Sequence, residues 1–240
     1  IENIKQAISI TNKGIRAMMD NARPGMKEYE LEAHFDFVLK SQGVRERAFE
    51  SIIAGGHNAT VLHYVENNSV IEDDTMVLID LGATYGHYSA DISRTFPING
   101  KFTDRQKDVY NLVLRAELET IKAIKPGVPF TTLNEITKRV LTEGAKELGL
   151  LSEGQDISDY YYHGVSHFLG LDTHDVGNYR DLTLQPGMVV TIEPGLYIAA
   201  EGIGVRIEDD VLVTEEGYEV LSEEILKTVE DIEAYMGRAR

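Results

Sequence analysis

Residues 79–82 read Ile-Asp-Leu-Gly, and residues 192–195 read Ile-Glu-Pro-Gly. In both places the acid ends a run of otherwise apolar residues, which is typical of a buried strand. A second acid follows inside another strand-like segment, Asp91 in the first case and Glu208 in the second. Two copies of one pattern in the same order predict a duplicated unit.

Two predicted helices precede the first copy. Apolar residues recur at helical spacing from Ile4 to Met18, and the pattern breaks at Pro24-Gly25. A second helical pattern includes Leu31 and ends near Gly43. A predicted strand at residues 51–54 then precedes the one that ends at Asp80.

The same order returns in the second half. Thr103 and Gln106 can form a capping box that opens a helix, and this helix breaks at Pro126-Gly127. Thr132 with Glu135 predicts a second capped helix. We therefore predict an α+β fold in which an ααββ unit occurs twice, its halves related by a pseudo-twofold axis. Residues 149–184 are interpreted as an insertion. The alternative is that Pro-Gly breaks and acids at strand ends recur by chance.

Composition limits the possible partners. The chain has 240 residues, of which 42% are hydrophobic, and a net charge of −17, so it is globular and unsuited to nucleic acid or anionic membranes. It has no cysteine, which excludes disulfides and thiolate zinc sites. No stretch approaches the roughly 18 apolar residues that span a bilayer. The first residue is not methionine. We expect a cytoplasmic domain of a longer protein.

The four acids on these strands indicate a metal site. A buried carboxylate without a partner must take up a proton or bind a cation. Acids at matching positions of two halves would repel each other, and a pair of divalent cations would remove that repulsion. For one acid alone, a strand-end cap or a surface turn is the simpler interpretation, and we adopt it for Asp209 and Asp210.

Three of the seven histidines lie close together, at His163, His167 and His174. Imidazole is a good ligand for transition metals and a good hydrogen-bond donor to a substrate. His34 lies in a helical pattern and has no indicated role. His57 and His87 lie in glycine-rich turns, where we expect exposure to solvent.

These residues carry a resemblance to a known family. Residues 163–167 (HGVSH), 169–175 (LGLDTHD), 192–195 (IEPG) and 205–209 (VRIED) resemble the "pita-bread" metallopeptidases. That family includes methionine aminopeptidase, prolidase, aminopeptidase P and the metal-free creatinase. The similarity covers essentially the whole chain and is greatest to aminopeptidase P, with prolidase next. Both of those enzymes carry an N-terminal domain that is absent here, so residues 1–240 are expected to be a single catalytic domain.

The resemblance implies two divalent metal ions and their protein ligands. Manganese is the implied metal, with cobalt or zinc also compatible. A solvent hydroxide between the ions is the implied nucleophile. Asp91 and Glu208 are implied to bridge both ions, and Glu193 to shuttle a proton. The implied ligands are Asp80, Asp91, His167, Glu193 and Glu208.

The resemblance also implies a substrate and the residues around it. His63, His163 and His174 would face the substrate, with His174 stabilising the developing charge. Tyr197 would line the pocket, and Arg206 would orient a bridging carboxylate. The implied reaction is hydrolysis of the bond between an N-terminal residue and proline, so the partners are peptides with proline at the second position. A dipeptidase is the first alternative and a non-catalytic peptide-binding module the second. The oligomeric state stays open, a homodimer included.

Overall fold

The computed structural model describes residues 1–179 and 181–238, and its first half runs from helices to a three-stranded sheet. Strands β1, β2 and β5 lie in that order and pair antiparallel, while β3 and β4 form a separate hairpin. The elements are α1 (Glu2–Asn21), α2 (Glu28–Ser41), β1 (Ile52–Gly55), β2 (Met76–Leu81), β3 (Thr84–Tyr85), β4 (Tyr88–Ser89) and β5 (Ile92–Pro97).

The second half repeats this order. Strands β10, β9 and β6 form an antiparallel sheet, and β7 and β8 form a hairpin at the place that β3 and β4 occupy in the first half. The elements are α3 (Asp104–Lys122), α4 (Thr131–Glu147), β6 (Val189–Ile192), β7 (Gly195–Ile198), β8 (Ile203–Arg206), β9 (Asp209–Val213), β10 (Tyr218–Val220) and α5 (Val229–Arg238).

The interpretation of residues 149–184 as an insertion outside the repeat needs correction. Residues 165–169 run along β6 as β1 runs along β2: the amides of Leu169 and Thr191 donate to the carbonyls of Val189 and His167, at 3.1 and 3.0 Å. Only the bridge between Phe168 and Val190 is regular enough to count as strand pairing. The segment that carries His167 is therefore the counterpart of β1, which strengthens the predicted duplication.

The helix ends test two predicted caps. Thr103 accepts a hydrogen bond from the Gln106 amide and the Gln106 side chain accepts from Thr103, as the capping box predicts. The cap predicted at Thr132 is wrong. Helix α4 begins one residue earlier, at Thr131, and Phe130 before it is already helical. The Thr132 amide donates to the Pro129 carbonyl, so a turn replaces the side-chain cap.

Buried apolar faces hold the helices against the sheets. In α1, Ile4, Ile8, Ile15 and Met18 are buried. Gly14 lies where α1 meets α2, and a methyl group there would come within 2.3 Å of the Phe35 ring, so the two helices approach too closely for any larger residue. Within the described residues, none of the helices has the length and apolar character that crossing a membrane requires.

Candidate metal centre

The five predicted ligands line one cavity of about 390 Å³ between the two sheets. Asp80 is in β2 opposite Ser93 of β5, and Glu193 directly follows β6. Asp91 and Glu208 were expected inside strands, and this detail is wrong. Each lies in the break between a hairpin and the following strand, where the chain leaves one sheet and joins the other. The break frees both side chains to point into the cavity.

The ligand atoms form two overlapping groups. Oxygens of Asp80, Asp91 and Glu208 lie within 4.8 Å of one another, and so do atoms of His167, Glu193 and Glu208. Glu208 belongs to both groups, and Asp91 Oδ2 lies 3.4 Å from His167 Nε2 of the other group. The arrangement provides two neighbouring cation positions that share a carboxylate.

Burial and mutual repulsion raise the pKa of three of the ligand acids when no cation is present. Burial raises the pKa of Asp91, and the nearby Asp80 raises it further. Burial likewise raises the pKa of Glu208, helped by Asp91, and raises the pKa of Glu193 to about 7. Shifts in this direction are what closely packed carboxylates show when no positive charge separates them.

The residues fit a pair of divalent cations. Among the described residues, Asp80 Oδ1 is one of the few buried side-chain atoms without a hydrogen-bond partner. Its other oxygen accepts from Arg206 Nη2 at 2.7 Å, so the unpartnered oxygen is available to a metal. The donors are carboxylate oxygens and one imidazole, a set that suits manganese, cobalt and zinc alike.

Ser93 and Arg206 hold the carboxylates in place from behind. Ser93 Oγ donates to Glu208 Oε2 at 2.8 Å and accepts from Arg206 Nε at 2.8 Å. The Glu208 amide donates to the Ser93 carbonyl at 3.0 Å. The bond from Arg206 to Asp80 completes this frame, and Arg206 is 2% exposed. Arg206 was predicted to orient a bridging carboxylate; the carboxylate it contacts directly is Asp80, and it reaches Glu208 through Ser93.

The Gly164 carbonyl determines the tautomer of His163, because a carbonyl can only accept and His163 Nδ1 lies 2.8 Å from it, so Nδ1 carries the proton. His163 Nε2 is then the acceptor for the Tyr197 hydroxyl, 2.8 Å away. That hydroxyl in turn accepts from Arg206 Nη1 at 3.0 Å. Burial lowers the pKa of His163 to about 4, so the ring is neutral near pH 7. Both ring nitrogens of His163 are therefore engaged with the protein in this state.

His63 and His174 lie at the open side of the cavity, and both are exposed. The His174 ring packs edge-on against His167, with 4.3 Å between ring centroids. His63 and His174, with Asp80 and Asp91, also line an adjoining cavity of about 430 Å³. The two cavities therefore adjoin each other at Asp80 and Asp91. His57 and His87 are exposed, as expected.

The sequence missed several residues that support the site. Asp209 and Asp210 were interpreted as cap or surface residues, and this is wrong, because both are fully buried. Asp210 Oδ2 accepts from the amide of Asp91 at 3.2 Å, and Asp209 pairs with Arg94 at 2.7 Å. Tyr179 lines the cavity, and its hydroxyl accepts from the Phe168 amide. The run of three acids at residues 208–210 gave no signal of this burial, because such runs are usually exposed and the partner of Asp209, Arg94, is in the other half of the chain.

Comparison with known proteins agrees with this geometry. Residues 2–215 match the model of metallopeptidase family M24. The Xaa-Pro aminopeptidase of Escherichia coli is 40% identical over 99% of this chain, and the Xaa-Pro dipeptidase of Pyrococcus furiosus is 38% identical over 90% of it. A structure of zinc-substituted Escherichia coli aminopeptidase P in complex with product superposes with a TM-score of 0.95, at 39% identity over 100% of this chain. The chain spans 58% of the length of the first relative, 60% of the second and 58% of the solved chain.

Proposed function

Because the chain belongs to metallopeptidase family M24, we propose that it is the catalytic part of an aminopeptidase that removes an N-terminal residue preceding proline. The observation that carries this proposal is the pair of overlapping ligand groups, with Glu208 in both and a buried unpartnered oxygen on Asp80. A non-catalytic peptide-binding module would have no need of four acids held at this electrostatic cost.

A bound pair of divalent ions would supply a water nucleophile at neutral pH and polarise the substrate carbonyl. Manganese is the metal that we propose, with cobalt and zinc as alternatives. The ligands would be the five residues predicted from the sequence. Asp91 and Glu208 would be the ligands shared by both ions: Glu208 belongs to both groups, and Asp91 Oδ2 lies 3.4 Å from His167 Nε2 of the second group.

The side chains of the protein have separate tasks in the proposed reaction. Glu193, which lines the cavity beside the other ligands, is the residue that we propose accepts a proton from water and returns it to the leaving proline nitrogen. His174, exposed beside His167, can donate to the oxyanion that develops on the substrate carbonyl. His63 faces the same space from the opposite loop. His163 would form part of the wall of the pocket, whereas Tyr197, predicted to line it, lies behind His163 and is not among the residues that line the cavity.

The preference for proline rests on the relatives and on residues 163–175. An Xaa-Pro bond has no N–H to recognise, so selection must come from the shape of the pocket around the ring. Among the known relatives, Escherichia coli and Pyrococcus furiosus proteins are named for Xaa-Pro substrates. A dipeptidase is the second candidate, favoured by the 38% identity to the Pyrococcus furiosus Xaa-Pro dipeptidase.

One assay separates the two candidates. The full-length, manganese-loaded protein is offered an Xaa-Pro dipeptide and an Xaa-Pro-Yaa tripeptide with the same first residue, and the released amino acid is quantified. We expect cleavage of the tripeptide, with a Xaa-Ala-Yaa peptide as the control. Cleavage of the dipeptide alone would replace the aminopeptidase with the dipeptidase. Elemental analysis of the same sample tests the metal pair, and the homodimer and the cytoplasmic location stay predictions.

A further inference from the structure

His63 is carried by an irregular segment that no sheet supports. Residues 56–69, here the His63 loop, leave β1, form a 3₁₀ turn at Gly56–Thr60 and return without pairing as a strand. A segment of this kind needs other hydrogen-bond partners for its backbone, and an imidazole on it is only as well placed as those partners allow.

Glu28 supplies most of those partners. It lies at the start of α2, is fully buried, and accepts four hydrogen bonds from the loop and the end of β1. One oxygen accepts from the Gly55 amide at 2.8 Å and from Asn58 Nδ2 at 2.9 Å. The other accepts from the Tyr64 hydroxyl at 2.7 Å and from the Ser69 amide at 2.9 Å.

The bonds of Glu28 lie on both sides of His63 in the sequence. Tyr64 is the next residue, is 8% exposed, and belongs with Leu62 to an apolar cluster that includes Tyr197, so its hydroxyl bond restrains the backbone next to His63. The Glu28 amide also donates to the Ser69 carbonyl at 3.0 Å. The end of the loop is attached to the free edge of β1 by Asn67, which accepts from the Ile53 amide and donates to the Ser51 carbonyl.

We propose that Glu28 is a positioning residue for His63: its buried carboxylate holds the His63 loop so that the imidazole faces the metal cavity. The assignment of His63 to the substrate rests on the proposed function. The four hydrogen bonds that the Glu28 carboxylate accepts, here the Glu28 hub, do not depend on it. The carboxylate lies at a helix N-terminus, where a negative charge is stabilised, and all four of its partners donate.

The substitution Glu28→Gln tests the Glu28 hub directly, because it keeps the shape of the side chain and removes one acceptor. An amide has one acceptor oxygen and one NH₂ group, so in Glu28→Gln one backbone amide, of Gly55 or of Ser69, must face an NH₂ group whichever way the side chain is turned. Because a displacement of 1 Å can cost about 10²-fold in rate, we expect kcat/KM for the tripeptide to fall by about that factor. The metal content should stay unchanged, since Glu28 contacts none of the metal ligands.

A double-mutant cycle with His63→Ala separates positioning from general stability. If Glu28 acts through His63, Glu28→Gln should cost less than about threefold once His63 has been removed, because coupled residues are not additive. Glu30→Gln is the matched control, since Glu30 is on the same helical turn and accepts only from the Lys27 amide. Equal losses from Glu28→Gln with and without His63 would overturn the proposal.

A second measurement does not depend on activity. Amide hydrogen exchange of residues 61–69 in the full-length, metal-loaded protein should be faster in Glu28→Gln than in the wild type, with exchange of β2 and β6 unchanged. If Glu28→Gln fails to fold, Tyr64→Phe removes one of the four donors and should give a smaller effect in the same direction. Unaltered exchange in the loop would refute the hub itself. If the wild type cleaves no Xaa-Pro peptide, the proposed function fails, and the exchange measurement alone decides the role of Glu28.

Discussion

Asp91 is a buried carboxylate whose nearest charged neighbours are mostly other acids. Its side chain faces Asp80 and Glu193, and burial together with these charges raises its pKa. Its amide is held by Asp210, so the residue cannot turn away from them. The same features that suit Asp91 to bind two cations destabilise the folded protein when no cation is present.

We therefore predict opposite effects of Asp91→Asn on metal binding and on the stability of the metal-free protein. Elemental analysis should show loss of at least one bound ion and of activity. Thermal and urea unfolding in the presence of a chelator should show a more stable protein, because burial and Asp80 raise the pKa of Asp91 and asparagine removes the cost of the buried charge. Asp159→Asn, at an exposed position, is the control and should change neither property. Retention of two ions by Asp91→Asn would contradict the shared-ligand role.

The raised pKa of Glu193 predicts how the stability of the metal-free protein depends on pH. Its pKa is about 7 in the fold and 4.5 ordinarily, so the folded chain binds more protons than the unfolded chain between these values. The free energy of unfolding should then decrease as the pH rises from about 4.5 to about 7, by at most about 1.4 kcal/mol per pH unit. His163, whose pKa is lowered to about 4, contributes with the opposite sign below its ordinary 6.5. The difference between wild type and Glu193→Gln isolates Glu193. Urea unfolding at pH 5 and pH 8 with chelator measures it, and a pH-independent difference would contradict the shift.

Among the elements, β8 and the 3₁₀ turn of the His63 loop are in unusually close contact. A methyl group on Gly204 of β8 would lie 2.1 Å from the carbonyl oxygen of Ala59, a backbone atom that cannot give way by rotating. The Tyr162 hydroxyl donates to the Thr60 carbonyl at 2.6 Å from another side. The turn is thus held between the second half of the molecule and Glu28 of the first.

Gly204→Ala should separate β8 from this turn. We expect destabilisation of about 1–3 kcal/mol, as for other overpacked positions, and a larger loss in kcat than in metal content, because the clash is with the turn that leads into His63, whereas Glu208 lies four residues beyond Gly204. Gly217→Ala, where nothing lies within 4 Å of the added methyl group, is the matched control and should be near neutral. Urea unfolding and the tripeptide assay measure the two effects. A loss of bound metal equal to the loss of rate would show that the strain reaches the ligands instead.

The elements also show what the sequence could predict. Both helix pairs, the strand that carries Asp80, the strand that ends just before Glu193, and the duplicated order follow from local patterns of hydrophobicity and turns, so they were predicted correctly. The pairing of residues 165–169 with β6 was missed, because it uses backbone hydrogen bonds without an alternating side-chain pattern. The burial of Asp209 was missed for a different reason. Its partner Arg94 is in the other half, and nothing local to either residue indicates the pair.

At the scale of the whole molecule, that pair is part of a buried network between the halves. Arg94 of β5 is 0% exposed and donates to Asp209 at 2.7 Å, to the Glu208 carbonyl at 2.6 Å and to the Leu226 carbonyl at 3.0 Å. Lys227 contacts both Asp209 and Glu117 of α3. Burial by itself would raise the pKa of Asp209, but Arg94 and Lys227 outweigh it and lower that pKa, whereas burial raises the pKa of Glu117. The network fixes β5 against β9, and hence Asp91 against Glu208.

Removing one charge from this network should therefore cost far more than removing a balanced pair. Arg94→Met leaves Asp209 and Glu117 with Lys227 alone, and we expect a loss of about 3–5 kcal/mol in urea unfolding. The double variant Arg94→Met with Asp209→Leu retains the Lys227–Glu117 pair, so its loss should be smaller than the sum of the two single losses. Arg139→Met is the control, because Arg139 is exposed and its ion pairs with Glu119 and Glu143 should contribute under about 1 kcal/mol. Additive losses at Arg94 and Asp209 would mean that the two residues do not act as a coupled pair. Non-additive losses accompanied by weaker metal binding would show that the network between the halves also sets the spacing of the two shared ligands.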